Sequence, residues 1–82
     1  MSDHGRIQIH LKDLLKNSEY SRNKFSQRAE MQRTQLNKYL NNTITRFDAD
    51  VLARICYVLD CKIEDILEYI PPEKQDRQNE KE

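Results

Sequence analysis

The sequence predicts a small all-α domain of five short helices, with a brief pairing of extended segments at its two ends. Two observations carry this expectation. Apolar residues recur at three- and four-residue spacing along most of the chain, the period of a helix with one buried face. Three segments also open with the same start signal, two apolar residues five positions apart around a capping position: Tyr20 and Phe25, Met31 and Leu36, Phe47 and Leu52. With one glycine and two prolines among 82 residues, punctuation by those residues is scarce, and periodicity must delimit the helices.

The elements follow in order. Residues 1–5 are expected to be a flexible start, and Ile7-Gln8-Ile9 alternates in the manner of a short extended arm. Leu11, Leu14 and Leu15 mark a first helix that ends near Asn17, before a loop over 18–20. Ser21 is a good N-cap for a second helix at about 22–29. Gln32 is a poorer cap for a third at about 33–40, where Gln35 has the spacing to reach back in a capping box. Asp48 caps a fourth at about 49–59, expected to bury Leu52, Ile55, Cys56 and Leu59 on one stripe. A fifth helix covers about 63–68 with Ile63, Ile66 and Leu67 inward, and Tyr69-Ile70 then runs extended into Pro71-Pro72. Pairing of Ile7–Ile9 with Tyr69–Ile70 would tie the ends of a domain spanning 6–70. Residues 71–82 hold nothing apolar but the proline rings and are expected to be a disordered polar tail.

Composition narrows the function. With 37% hydrophobic and 34% charged residues, 82 residues build one compact core under a heavily solvated surface. A lone glycine, Gly5, excludes the glycine-rich cradles that hold nucleotide phosphates. No apolar run approaches a membrane span, and the first residues lack the apolar stretch of a signal peptide, so a soluble, cytoplasmic protein with no membrane partner is expected. Cys56 and Cys61 read as reduced thiols, and with His4 and His10 they lack the tight spacing of a zinc site.

Net charge is zero, but its distribution is uneven. Residues 1–47 carry nine bases against four acids, a balance of +5, and residues 48–82 carry the compensating −5. Within 22–46 there are six bases and one acid, Glu30. A positive segment in a neutral chain suggests a polyanion facing that segment alone. A solvated helix face is the plain alternative unless the cations share one surface.

The third helix is the informative one. At about 100° per residue, Leu36, Tyr39 and Leu40 gather on one side, while Thr34, Asn37, Lys38 and Asn41 turn the other way with Arg33 and Gln35 flanking. An ordinary surface helix alternates Glu and Lys; this face carries amides, a hydroxyl and two cations without a carboxylate. Arg and Lys donate to guanine O6 and N7, Asn and Gln pair with adenine, and a Thr methyl meets thymine. Arg22-Asn23-Lys24 opens the preceding helix with donors suited to phosphate, and Asn41, Asn42, Thr43, Thr45 and Arg46 offer more beyond the third helix.

The stretch Ser21–Asn42, with Phe25 inward, Ser26 at a close-packing position, Met31 after the turn and Leu36 inward again, resembles the Cro and phage-repressor-like helix-turn-helix regulators, the xenobiotic-response-element family. The runs from Arg46 to Cys61 and from Asp65 to Pro71 extend the similarity over about residues 6–72. The resemblance implies a five-helix, lambda-repressor-like DNA-binding domain whose third helix enters the major groove, usually as a homodimer on a palindromic site. Carried over by position, Gln32, Arg33, Thr34, Asn37 and Lys38 are the base contacts, and Arg22, Asn23 and Asn41 the phosphate contacts. Two positions depart from the family pattern. Glu30 stands where the turn usually has Gly, which demands a left-handed or distorted backbone, and Gln32 replaces the usual Ser or Thr cap.

No catalytic constellation is visible. The histidines lie near the start, and Glu64, Asp65 and Glu68 read as a solvated acidic face rather than a cation site. A non-enzymatic transcriptional regulator, most simply a repressor, is expected, with double-stranded DNA as partner and no cofactor or small-molecule ligand indicated. The competing reading is a protein-interaction module on the same fold, such as an antitoxin or anti-repressor.

Overall fold

The computed structural model describes residues 4–72; the expectations for residues 1–3 and for most of the polar tail lie outside that range. Its elements run β1 (Arg6–Ile9), α1 (Leu11–Lys16), α2 (Arg22–Arg28), α3 (Arg33–Leu40), α4 (Ala49–Leu59), α5 (Ile63–Ile66) and β2 (Leu67–Ile70). The five helices expected from sequence are present.

The two end segments pair as an antiparallel ribbon, Arg6 opposite Ile70 and Ile9 opposite Leu67. This pairing reaches further than expected and shortens the fifth helix. Leu67 and Glu68, anticipated as helical, are extended because they complete the ladder with Ile9 and Gln8. Gly5, at φ +84°, begins the ribbon where a Cβ would lie 2.3 Å from the carbonyl oxygen of Ile70, so no larger residue fits without displacing backbone.

Every element but β2 places buried side chains in one core: Ile9 from β1, Leu11 and Leu15 from α1, Phe25 from α2, Ala29 and Met31 around the turn, Leu36, Tyr39 and Leu40 from α3, Val51 and Ile55 from α4, and Ile66 from α5; Leu67 of β2 packs against it partly buried. Two details of the expected core are corrected. On α4 the fully buried side chains are Val51 and Ile55, while Leu52, Cys56 and Leu59 are half-buried around them. Ile63, expected inward, is 45% exposed, because the four-residue α5 turns only Ile66 fully into the core.

Three helices end alike, each on a left-handed residue that is not glycine: Glu30 after α2, Asn42 after α3 and Asp60 after α4. After α2, the Met31 N–H donates to the Ser26 carbonyl (2.9 Å) and Glu30 to Gln27 (3.3 Å); after α3, Thr43 donates to Lys38 (2.9 Å) and Asn42 to Tyr39 (3.3 Å). These bonds close the helix ends by reusing carbonyls that have no partner within the helix.

Candidate nucleic-acid interface

The pair α2 and α3 is set by local chemistry. The Ser21 hydroxyl accepts from the Lys24 N–H at 3.1 Å, capping α2. Tyr20 and Phe25 meet edge to face, 6.5 Å between ring centres, as the staple spacing predicts. The helix stops at Glu30, whose φ of 55° turns the chain into α3. No side-chain hydrogen bond caps α3 at Gln32, so the capping contribution expected from that segment is not made.

On α3, Leu36, Tyr39 and Leu40 are buried, and Arg33, Thr34, Asn37 and Lys38 are exposed, as are Gln32 before it and Asn41 after it. Gln35 lies between the two faces, half-buried. Arg22 and Asn23 are exposed at the start of α2. Arg22, Asn23 and Ser26 of α2 line a cleft of about 150 Å³ together with Arg33, Leu36 and Asn37 of α3. Within it, the Arg33 guanidinium donates to the Asn23 side-chain oxygen at 2.7 Å. The structure thus brings together a residue anticipated at bases and one anticipated at phosphates. Their bond holds the Arg33 side chain against α2, which lowers the rotamer entropy still to be lost when it meets a ligand.

Asn42 has a structural task at the end of α3. Its side-chain oxygen accepts from the Ile9 N–H at 3.1 Å, so it ties the end of α3 to β1. Thr43, whose hydroxyl donates to the Lys38 carbonyl at 3.4 Å, closes the same corner.

Arg54 was not singled out by sequence, yet it braces the turn. Its Nε donates to the Ala29 carbonyl at 2.7 Å and one Nη to that of Glu30 at 3.4 Å, while the other Nη pairs with the Asp50 carboxylate. The i,i+4 spacing of Asp50 and Arg54 is visible in the sequence; the reach across 24 and 25 residues to the turn is not. Among the described residues no cluster of three or more His, Cys, Asp or Glu is placed to hold a metal ion.

Two helices joined by a tight left-handed turn, with the second presenting amides and cations outward, define a helix-turn-helix DNA-binding domain. A family model described as the Cro/C1-type helix-turn-helix DNA-binding domain matches residues 10–72, and the chain belongs to that family. Double-stranded DNA is the partner this class of transcriptional regulator binds. No curated protein matches the chain.

Proposed function

We propose that this protein is a sequence-specific transcriptional repressor, without catalytic activity, that works in the cytoplasm and inserts α3 into the major groove. The observation that carries the reading is the shared cleft: outward side chains of α3 and the opening residues of α2 face the same space. Arg33, Thr34, Asn37, Lys38 and the preceding Gln32 take the base edges. Arg22, the Asn23 amide nitrogen and Asn41 take phosphates, which fixes how α3 sits in the groove. One recognition helix spans only a few base pairs, so a homodimer on a palindromic site, with half-sites about one helical turn apart, supplies the specificity.

Selection from random duplex DNA at physiological salt supplies the operator and its symmetry. On that operator, Arg33→Ala or Lys38→Ala is expected to cost about 1–3 kcal/mol and to relax preference at one position. Arg22→Ala weakens binding to all sequences alike. If the two α3 variants bind the operator as the wild type does, the assignment of α3 fails. A protein that retains a stoichiometric protein partner and binds no duplex at low salt is instead the interaction module of the competing reading.

A further inference from the structure

A second cleft, of about 300 Å³, adjoins the first. Lys12 and Lys16 of α1 and Arg22 of α2 line it around Leu15, Tyr20 and Leu40, and none of its lining residues is acidic. Lys12 and Lys16 are one helical turn apart, about 6 Å along the axis. Both are exposed, and neither forms an ion pair among the described residues. Leu15 and Leu40 are nearly buried beneath the cleft, and the half-buried Tyr20 ring is the apolar side chain it presents beside the cations. Arg22 lines both clefts, so the basic surface continues from α3 across the start of α2 onto α1.

We propose that this cleft is a second DNA contact, a backbone clamp in which Lys12, Lys16 and Arg22 hold phosphates of one strand while the Tyr20 ring packs against the intervening deoxyribose. A sugar–phosphate strand alternates charge with apolar surface, and the cleft does the same. A free small anion would use the cations and leave the Tyr20 ring idle. A duplex seated on α3 and reaching Arg22 has this cleft as its immediate continuation. The inference rests on the proposed placement of α3, and it makes α1 part of the interface.

The test uses the full chain with the double variant Lys12→Gln/Lys16→Gln, on both the selected operator and an unrelated duplex, over a salt series. Each lysine at a phosphate contributes about one to the slope of log affinity against log salt, so the slope is expected to fall by about two. Affinity for both duplexes falls by the same factor, base preference is unchanged, and Lys12→Arg/Lys16→Arg restores the slope. Phosphate-ethylation interference on the operator should lose the positions beyond those governed by Arg22. An unchanged slope and interference pattern, with operator preference intact, overturns the clamp and leaves the α3 reading standing. A wild type without sequence preference, whose slope still falls by two in the double variant, upholds the clamp and overturns the α3 reading instead.

Discussion

Glu30 has a backbone that its side chain disfavours. A left-handed residue with a Cβ sits close to the following carbonyl oxygen, at roughly 1–2 kcal/mol, and Glu lacks the short polar side chain that eases Asn and Asp there. Asn42 and Asp60 occupy the same conformation with residue types that tolerate it. Glu30→Gly is therefore expected to stabilise the protein by about 0.5–1 kcal/mol, the relief of strain exceeding the greater freedom of glycine in the unfolded chain. Urea unfolding checks this: the midpoint should rise without a change in slope, and a lower midpoint would mean that the Glu30 side chain contributes contacts worth more than the strain. Gln32 shows how a weak local signal is tolerated. Without a side-chain cap, the start of α3 is held by the burial of Met31 and Leu36 on either side of Gln32.

At the scale of elements, the angle between α2 and α3 has a support outside both. Arg54 reaches from α4 to the carbonyls of Ala29 and Glu30, where α2 has ended and left acceptors without helical partners. A hydrogen bond from a charged donor is worth about 1.5–3 kcal/mol. Arg54→Ala should therefore destabilise the fold by about 1–3 kcal/mol, and it should weaken operator binding beyond what partial unfolding explains. Asp50→Asn removes only the exposed half of the arrangement and should cost less than about 1 kcal/mol. Equal losses in thermal denaturation for the two variants would show that the ion pair, and not the brace on the turn, matters. Asn42 plays the matching part at the far end of α3 through Ile9. The α2–α3 pair is thus held at its turn by α4 and at the end of α3 by β1.

Over the whole molecule, the two ends of the described chain are joined. Beyond the strand pairing, the His10 N–H donates to the Ile66 carbonyl at 2.7 Å, the His10 ring meets Glu68 at 2.7 Å, and the Tyr69 hydroxyl donates to the His4 carbonyl at 3.0 Å. Global stability also carries a pH dependence. Burial, with the neighbouring Cys56 thiol and the Asp65 and Asp60 carboxylates adding to it, pushes the Cys61 thiol from 9.0 up to about 11. Burial also raises Tyr39 above its ordinary value of 10.0, against an opposing hydrogen bond from the Asp48 backbone. Both groups keep their protons longer in the folded state than in the unfolded one. The unfolded chain therefore binds fewer protons once pH exceeds 9, and stability falls as pH rises from there through about 11. Urea midpoints should be level just below pH 9 and decline above it, and Cys61→Ala should make the decline shallower. An equally steep decline in that variant would place its source elsewhere.

The sequence by itself determined the helices and the outward composition of α3, because those signals act over a few residues. The expected bounds 33–40 and 49–59 coincide with the observed ones, and the Ser21 cap and the Tyr20–Phe25 contact form as their spacing requires. The strain at Glu30 was equally legible, since a single helix-turn-helix position demands it. Only the tertiary structure decided what depends on residues far apart in the chain. Leu67 and Glu68 left the helix because β1 offered them a ladder, the Asn42 side-chain oxygen met the Ile9 N–H, and Arg54 found the turn. Lys12 and Lys16 were countable as charges, but their placement beside Arg22 required the packing of α1 against its neighbours. Local propensity specifies which face a side chain takes on its own helix; which faces then meet is set by how the helices share one buried core.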